Sequence, residues 1–454
     1  MAKFEPHSAD LRGDPRAFAC PGLYRIVPAK DGGICRVRIP LGCLSADQAR
    51  AIASVATEHG NGIVELTNRA NIQIRGILGP EQELLISELV DSGLGTGERW
   101  ADDTRNVLMN PSAGNDPDEL IDVRPIAAAI LDRFSNDIGF AVLSPKFALQ
   151  IDGGGAMSLA DHAHDVWLLA VDTDAHGVMF KMGLGGPIDY GPDCVDARLV
   201  RPSECLEVVV AATLEFIETG VRGSGSTHIR QLLETMTRDA IWHRVEHRIG
   251  RSLLKIVPGQ LRSRAVLVTR PPVGIIAQRV PHLRSVGAAP VLGRIDARGL
   301  GAVADIATRF GGGNLRLTPW RSFLIPDVAE DSAEDALGAL SRAGLVCRDD
   351  NPLSRLVACA GSSGCGSAKT DAKKDAQLLA GFLNSSIGRD TIHVSGCSKS
   401  CAVPGVADVT LVGVSDGLYD LYRRSPISDA RFGARMVERV DIGQAAGHIL
   451  GAKP

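Results

Sequence analysis

Residues 59–67 read HGNGIVELT and residues 310–318 read FGGGNLRLT, so one strand-forming pattern occurs twice, 251 positions apart. The segments just before them match at the same offset: residues 51–57 read AIASVAT, and residues 302–308 read AVADIAT. Self-similarity at a fixed distance indicates a structural unit that has been duplicated within one chain. This repeat is the organising feature of the predicted fold.

Each copy of the repeat is predicted to form a strand, a helix and a second strand. In the first copy, residues 34–39 alternate between apolar and polar side chains, as a half-buried strand does. Ser45 and Gln48 have the spacing of a capping box at the start of the helix, and Gly60 is placed to end it. The sequence therefore predicts an α+β fold with two related halves.

A second repeated segment extends the duplication over most of the chain. Residues 105–109 (RNVLM) lie 250 positions before residues 355–359 (RLVAC), and DVWLL at 165–169 resembles DVTLV at 408–412. A small unit and a larger unit thus alternate, each occurring twice, and pseudo-two-fold symmetry with a cleft between the halves is expected. The predicted domains are 1–79, 80–255, 256–345 and 346–454.

The last unit contains four cysteines with the pattern C-x5-C and, after 31 residues, C-x3-C. They are Cys359, Cys365, Cys397 and Cys401. Four thiolates are the ligands of a [4Fe–4S] cluster, and the glycines at 361, 364, 366 and 396 would let the backbone fold closely around it. Met109 and Asn115 stand at the positions of Cys359 and Cys365 in the first repeat, so we expect one metal site per chain.

Two other interpretations of these cysteines remain open, namely four buried structural thiols and a zinc site. Zinc ligands usually lie closer in sequence, with two to four residues between them, so the spacing favours the cluster. The other six cysteines show no ligand spacing and are interpreted as buried apolar side chains. These are Cys20, Cys35, Cys43, Cys194, Cys205 and Cys347.

Composition and charge exclude several functional classes. The net charge of −4 offers no basic excess to neutralise phosphates, so we expect no nucleic-acid partner. The chain has no run of eighteen apolar residues, and residues 1–19 lack the apolar core of a signal peptide, so neither a membrane span nor secretion is expected. Ten cysteines in such a chain indicate metal ligands or buried thiols rather than disulfides. A cytoplasmic location is expected.

The cysteine pattern at the end of a duplicated chain resembles the sulfite/nitrite reductase superfamily, and the resemblance covers nearly the whole sequence. It implies two ferredoxin-like half-domains and two larger α/β domains related by pseudo-two-fold symmetry. It also implies that Cys401, the last cysteine of the motif, takes the place of the residue that bridges the cluster to a sirohaem iron. The segment LTNRANIQIRG at 66–76 is similar to the superfamily's tetrapyrrole-binding strand.

The same resemblance implies roles for particular residues. Arg36, Arg105 and Lys146 match basic residues around the substrate, which implies catalytic roles for them. Residues implied to bind the tetrapyrrole are Arg69, Asn71, Gln73 and Arg75. Strand alternation supports this, because residues two apart share one face and a guanidinium suits the carboxylates that early tetrapyrroles carry. A polar sheet face in contact with water is the alternative interpretation.

Three positions depart from the members that reduce sulfite. Ala148 stands where those members carry a second lysine two positions after Lys146, and losing that lysine weakens the positive charge and proton supply that reduction of an anion requires. Residues 320–322 (WRS) replace an Asn-Gln-Asn, and residues 398–400 (SKS) replace a Pro-Asn-Gly.

Four segments are instead similar to one branch, the precorrin-3B synthases: ACPGL at 19–23, NPSAG at 110–114, LTPWR at 317–321 and SGCSKSC at 395–401. This resemblance implies hydroxylation of the tetrapyrrole precorrin-3A by O2, with lactone formation, in aerobic cobalamin biosynthesis. It implies a [4Fe–4S] cluster and a mononuclear non-haem iron as cofactors. The alternatives are a sulfite or nitrite reductase, which would hold sirohaem, and a non-catalytic iron–sulfur or tetrapyrrole-binding protein.

Two further expectations concern the electron source and the second iron. Glycine-rich stretches at 153–155, 183–186 and 223–225 do not form a G-x-G-x-x-G that opens a helix. Electrons are therefore expected from a separate NAD(P)H-linked donor. No 2-His-1-carboxylate spacing stands out for an iron; the nearest group is Asp161, His162 and His164, which we interpret as part of a surface loop.

Overall fold

A computed structural model describes residues 20–158, 162–189, 191, 194–259, 261–262, 271–383, 390–403, 405–425 and 430–451. Within these residues, no helix is both long and apolar enough to cross a membrane. Asp161 lies outside the described residues, as do residues 1–19.

The described strands alternate with helices along the chain. They are β1 Val27–Ala29, β2 Gly32–Val37, β3 Cys43–Ser45, β4 Ile63–Leu66, β5 Ile72–Ile77, β6 Val107–Met109, β7 Leu149–Asp152, β8 Val166–Thr173, β9 Gly177–Leu184, β10 Arg198–Val200, β11 Leu254–Lys255, β12 Leu261–Arg262, β13 Gly274–Ala277, β14 Leu283–Ala288, β15 Arg294–Asp296, β16 Asn314–Leu317, β17 Phe323–Ala329, β18 Leu356–Ala358, β19 Ile392–Ser395, β20 Val409–Ser415, β21 Leu418–Arg423 and β22 Ala434–Val440.

The α-helices are α1 Ala46–Glu58, α2 Gln82–Asp91, α3 Arg99–Thr104, α4 Arg124–Asn136, α5 Cys205–Phe216, α6 Ile229–Leu232, α7 Arg238–Ile249, α8 Ala297–Phe310, α9 Ala333–Arg342, α10 Gly361–Gly364, α11 Ala372–Phe382 and α12 Ile442–Ile449. The mixture of these helices with four sheets confirms the α+β class.

The two small units exchange a strand with each other. One sheet has the order β1-β2-β5-β4-β15, and the other has the order β13-β14-β17-β16-β3. Strand β15 therefore completes the first sheet by pairing with β4, while β3 completes the second by pairing with β16. Helices α1 and α8 pack together, and one hydrophobic core runs under both sheets. Neither sheet is complete without the other half.

The two larger units also correspond to each other. Strands β6, β7 and β8 are parallel and are followed by the antiparallel β9 and β10. Strands β18, β19 and β20 are likewise parallel and are followed by the antiparallel β21 and β22. Each sheet has its own hydrophobic core. The duplication seen in the sequence thus recurs strand by strand.

The structure shows how helix α1 begins and ends and how far the first small unit extends. The capping box of Ser45 and Gln48 is confirmed at the start of α1. Helix α1 ends at Glu58, with His59 as its C-cap, and a side chain at Gly60 would come within 2.6 Å of the Arg75 carbonyl oxygen. The first small unit extends past residue 79, because Leu85 and Leu89 of α2 lie in its core.

Candidate active site

The first cysteine pair flanks helix α10 at the end of strand β18. Cys359 directly follows this strand, and its amide donates to the Val394 carbonyl on β19 at 3.3 Å. The amide of Cys365 donates to the Gly361 carbonyl at 2.9 Å. Because β18 and β19 are parallel neighbours, their carboxyl ends place this pair beside Cys397, which comes two residues after β19.

Glycines shape the loop that carries these cysteines. Gly361 has φ +70°, and a side chain there would come within 2.6 Å of the Ala372 amide nitrogen. A side chain at Gly364 would come within 2.5 Å of Arg75 Nη2. The Gly396 N–H donates to Cys359 Sγ at 3.2 Å. A tight backbone that directs an N–H group at a cysteine sulfur fits the needs of an iron–sulfur cluster, whose properties depend on hydrogen bonds to its sulfurs.

The four thiols influence one another, but among the described residues no three of them lie within 4.8 Å of one another. A zinc ion bound at about 2.3 Å by four thiolates would hold the sulfurs about 3.8 Å apart. Within the described part of the chain, three potential metal ligands lie within 4.8 Å of one another only at Glu58, His59 and Glu88. The cysteines are nevertheless neighbours, because burial and then the other three thiols raise the pKa of Cys401. Such wider spacing suits thiolates that bind separate corners of an iron–sulfur cube.

A buried ion-pair group joins the cysteine loop to the first half of the molecule. Arg75, which is 2% exposed, contacts Asp31 at 2.7 Å and Glu65 at 3.3 Å. Its Nη2 also donates to the Gly364 carbonyl at 3.1 Å. The guanidinium therefore holds the loop between Cys359 and Cys365 against strand β5.

Glu65 is the centre of this group and joins three units of the chain. It contacts Arg75, Arg294 on the exchanged strand β15 at 2.7 Å, and Lys373 on α11 at 3.7 Å. Burial alone would raise the pKa of Glu65, but Lys373, Arg75 and Arg294 outweigh it and lower the pKa to about 2. The carboxylate is thus ionised throughout the neutral range.

The polar face predicted at strand β5 is largely covered by other parts of the protein. Arg75 is buried against the cysteine loop, and Asn71 is buried with its Oδ1 accepting from the Ile39 amide at 2.9 Å. Gln73 and Arg75 nevertheless both line a cavity. Alternation assigns side chains to one face of a strand, but it does not show that another unit covers that face.

The cavity that Gln73 lines lies between strand β5 and the cysteine loop and has an open volume of about 670 Å³. Its wall also includes Arg36, Cys359 and Cys401. Arg36 and Gln73 are partners across β2 and β5, and the Gln73 amide oxygen, turned toward Arg36, accepts from its Nη2 at 2.8 Å. Burial lowers the pKa of Arg36. A cation therefore faces the cluster cysteines across the cavity.

The other predicted basic residues lie at different depths. Arg69 Nη2 donates to the Ala163 carbonyl at 2.9 Å, and burial lowers the pKa of this guanidinium to about 10. Arg105 is buried, 3.6 Å from Asp102. Lys146 is exposed. In the part of the chain that the structure describes, Arg69, Arg105 and Lys146 line neither this cavity nor the one beside it.

A second, larger cavity adjoins the first. The two share Asn68, Leu292, Arg321 and Ala402, and the second has an open volume of about 1120 Å³. Trp320, Arg355, His162 and His393 are among the residues that border it.

The histidines near this cavity lie in the protein interior and not at the surface. His162 and His164 are 6% and 3% exposed, so the surface-loop interpretation is wrong for them. Their Nε2 atoms, and that of His393, are buried without a partner among the described residues. Burial, followed by the charge of Arg69, lowers the pKa of His162 to about 3. The described residues nonetheless form no 2-His-1-carboxylate group here, because no such set lies within 4.8 Å.

Ala148 is buried, and its backbone is hydrogen-bonded to Asp165. It is 1% exposed, and its amide donates to Asp165 Oδ2 at 2.9 Å. Its carbonyl accepts from the Asp165 amide at 2.8 Å. The position where a second lysine was expected for a sulfite reductase is therefore enclosed by protein.

Sequence reasoning missed several residues that shape the site. Glu65, Lys373 and His393 gave no motif, because each becomes significant only through partners far away in the chain. Arg321 gave one signal, since it belongs to the segment that departs from the superfamily pattern. That departure was noted without assigning the side chain to the site.

Two family models match this chain. The nitrite/sulfite reductase ferredoxin-like half domain matches residues 27–91 and 276–343. The nitrite and sulphite reductase 4Fe-4S domain matches residues 100–253, which belong to the copy without the four cysteines.

Three curated relatives show similar levels of identity. A precorrin-3B synthase of Sinorhizobium sp is 28% identical over 414 residues, which cover 88% of this chain and 82% of the relative. A chloroplastic ferredoxin–nitrite reductase of Oryza sativa subsp. japonica is 28% identical, with 83% of this chain and 65% of the relative covered. A sulfite reductase [ferredoxin] of Mycobacterium tuberculosis is 28% identical, with 84% and 70% covered.

Among solved structures, the Mycobacterium tuberculosis NirA protein superposes with a TM-score of 0.75 at 25% identity, covering 92% of this chain and 79% of that one. The similar proteins named for their activities are oxidoreductases. The matched 4Fe-4S family supports an iron–sulfur cluster in this chain.

Proposed function

We propose that this chain, which belongs to the superfamily of nitrite and sulfite reductases, is a precorrin-3B synthase. The reaction would place one oxygen atom of O2 on a ring carbon of precorrin-3A, with lactone formation. The other oxygen atom would leave as water, which requires two electrons and two protons. These electrons would come from a separate NAD(P)H-linked donor.

The observation that carries this choice is the enclosure of Ala148. Members that reduce sulfite are expected to need a lysine at this position, and here a buried methyl group stands with its backbone bonded to Asp165.

Different residues of the chain would have different roles in this reaction. Cys359, Cys365, Cys397 and Cys401 would hold a [4Fe–4S] cluster, which supplies single-electron transfer when bound. Arg36, Gln73 and Arg69 would bind and orient the macrocycle, since a guanidinium makes charge-assisted hydrogen bonds to carboxylates. Arg75 would hold the cysteine loop in place, and Asn71 would hold the N-terminal end of β5 in place. Arg105 and Lys146 stay predicted catalytic residues without a contact that supports the role.

The second iron implied by the superfamily branch receives no ligands here. Buried Nε2 atoms of His162, His164 and His393 are suitable donors. The described residues bring no carboxylate together with two of them, so they do not fit a facial triad. No step of the proposed reaction is assigned to such an iron.

A sulfite or nitrite reductase is the second candidate. It is favoured by the cavity that Cys401 shares with Arg36, where a sirohaem would meet the last cysteine of the motif. A third candidate, a binding protein with a structural cluster, shares the same cavity but would catalyse no reaction.

Two measurements separate these candidates. The absorption spectrum of the purified protein should show a broad cluster shoulder without the Soret and far-red bands of sirohaem. Anaerobic protein should leave precorrin-3A unchanged, and addition of O2 with a reductant should convert it. Bound sirohaem together with sulfite turnover from reduced methyl viologen would replace the synthase by the second candidate. Binding of precorrin-3A without turnover would favour the third.

The contribution of Arg69 can be measured separately. Replacing Arg69 by Ala removes a half-buried cation whose Nη1 is buried without a partner among the described residues. Affinity for precorrin-3A should fall about ten- to a hundredfold, because charge-assisted hydrogen bonds contribute about 1.5–3 kcal/mol. Iron and sulfide content should not change. An unchanged affinity would remove Arg69 from the binding site.

A further inference from the structure

Arg321 differs from most buried arginines of this molecule in lacking an acidic partner. Arg38, Arg75 and Arg198 each contact a carboxylate within 3 Å. Within the described residues, the Arg321 side chain makes one hydrogen bond, from Nη2 to the Ala402 carbonyl next to Cys401. Burial lowers the pKa of Arg321 to about 10. A guanidinium has five N–H donors, so this cation has capacity for an anionic ligand.

The backbone directs this side chain toward the cavities. Arg321 lies in the turn between β16 and β17 with φ +59°, and its counterpart in the first repeat, Ala70, has φ +51°. The two repeats therefore make the same turn, with a methyl group in one copy and a guanidinium in the other. Gly293 leaves room for the longer side chain, because a Cβ there would lie 2.6 Å from Arg321 Cδ.

The cavities on either side of Arg321 form one elongated space. The cavity beside the cluster, about 670 Å³, and the larger one, about 1120 Å³, both include Arg321 in their walls. The larger one combines apolar side chains and Trp320 with Arg355, whose Nη1 is buried without a partner among the described residues. It also receives the buried, unpartnered Nε2 of His393. An apolar wall with separated cations suits a large, flat polyanion better than a small oxyanion.

We propose that Arg321, together with Trp320 and Arg355, forms a specificity site for the peripheral carboxylates of a macrocyclic ligand. This inference rests on the proposed function and names how its substrate class is recognised. The ring would extend from the cluster cavity across Arg321, whose planar fork binds a carboxylate with two parallel hydrogen bonds. Trp320 would contact the face of the ring. Ligands with more carboxylates should therefore bind more tightly.

The test uses the intact protein with its cluster and two porphyrin probes. Uroporphyrin III has eight carboxylates and mesoporphyrin has two, and binding is followed by quenching of tryptophan fluorescence. Wild-type protein should bind uroporphyrin at least tenfold more tightly than mesoporphyrin. Arg321→Gln should weaken uroporphyrin binding about ten- to a hundredfold and mesoporphyrin binding much less. Arg348→Gln, at an exposed arginine paired with Asp350, should leave both affinities unchanged.

Further variants separate recognition from a structural role beside Cys401. Arg321→Lys keeps the charge but loses the fork, so its affinity should lie between those of the wild type and R321Q. Arg355 lines the second cavity, which includes none of the four cysteines. Arg355→Gln should also weaken uroporphyrin binding, with iron and sulfide content unchanged. Trp320→Phe should remove part of the quenching. If R321Q loses its cluster, R355Q decides the result.

Equal binding of both probes by the wild type, or unchanged uroporphyrin binding in R321Q and R355Q, would overturn the site. A different result would overturn the proposed function: the wild type would not convert precorrin-3A when O2 is present. Conversion by a wild type whose R321Q and R355Q variants bind normally would reject only the specificity site. Arginine-dependent uroporphyrin binding without conversion would reject only the function.

Discussion

The loop after β6 and the loop after β18 occupy the same place in the two repeats, yet different forces hold them. In the first loop, Ser112 Oγ donates to Asn110 Oδ1 at 2.8 Å and to Asp116 Oδ2 at 2.9 Å. Asp116 also accepts from the Ala156 amide at 2.8 Å, and Glu119 accepts from the Gly114 amide at 2.8 Å. This loop is complete through its own polar side chains.

The second loop is joined mainly by backbone and glycine contacts. Ser362 donates its amide to the Thr370 carbonyl at 2.8 Å, and Lys369 donates to the Gly396 carbonyl at 2.6 Å. Among the described residues, the sulfurs of its cysteines receive one recorded hydrogen bond, from the Gly396 N–H to Cys359 Sγ at 3.2 Å. The comparison teaches that two loops at matching positions of a repeat can be held differently, one by polar side chains and the other by backbone bonds around the predicted cluster ligands.

The largest expected difference between the loops concerns the cluster. Replacing any one of Cys359, Cys365, Cys397 or Cys401 by Ala should reduce iron and acid-labile sulfide from about four of each per chain to near zero. Replacing Met109 or Asn115 by Ala, at the matching positions of the first loop, should leave both contents unchanged. Iron and sulfide assays of the purified variants give the result. A cysteine variant with full iron would show that its residue is not a ligand.

The next effect concerns Glu65, which connects the second loop to the rest of the molecule through Arg75. Glu65→Gln leaves Arg294 and Lys373 without a carboxylate partner among the described residues, while Arg75 keeps Asp31. The free energy of unfolding should therefore fall by about 3–5 kcal/mol. Arg316→Gln, 251 positions later at the matching site, should cost less than about 1 kcal/mol. Urea unfolding of both variants measures the difference.

The contribution of Glu65 should also depend on pH with a defined sign. Its folded-state pKa of about 2 lies below the ordinary value, so its stabilising effect is complete above about pH 4.5 and is lost as the pH falls toward 2. The stability gap between wild type and E65Q should therefore narrow in acid. A gap that is constant from pH 7 to pH 3 would contradict the ion-pair explanation.

The smallest effect concerns Glu119 in the first loop. Burial raises the pKa of Glu119 to about 7, so the folded protein keeps this proton while the unfolded chain releases it near pH 4.5. Stability should fall by about 1–3 kcal/mol as the pH rises from 4.5 to 7. Glu119→Gln should remove this loss, because the amide oxygen can still accept from Gly114.

Melting temperatures at pH 5 and pH 7.5 test this prediction, with Glu334→Gln, at an exposed glutamate, as the matched control. A wild type and an E119Q variant with the same pH profile would mean that Glu119 is ionised in the folded protein at neutral pH.

Much of the fold was predictable because it follows from local patterns and from the repeat. The α+β class, the capping box at Ser45 and the burial of Cys35 are confirmed. The exchange of β3 and β15 was not predicted, since pairing between residues 43–45 and 314–316 depends on how two distant units dock. A repeat shows that two units are alike, and it does not show how they meet.

The candidate site was also predictable only in part. Spacing alone predicts the four cysteines as cluster ligands, because thiolate ligation has few alternatives. The burial of Arg75 and His162 was missed, because alternation and local spacing do not reveal which unit covers a side chain. Arg321 required the structure, since its position depends on a turn with positive φ and on the space left by Gly293.

The exchange of β3 and β15 also bears on how the chain can have arisen. Two separate copies of one ancestral unit would complete each other's sheets only as a homodimer, and both subunits would then carry the same loop. Gene fusion removes that constraint, because a substitution in one half is no longer copied into the other. One half of a fused chain can therefore carry a cysteine loop while the other half carries a polar loop.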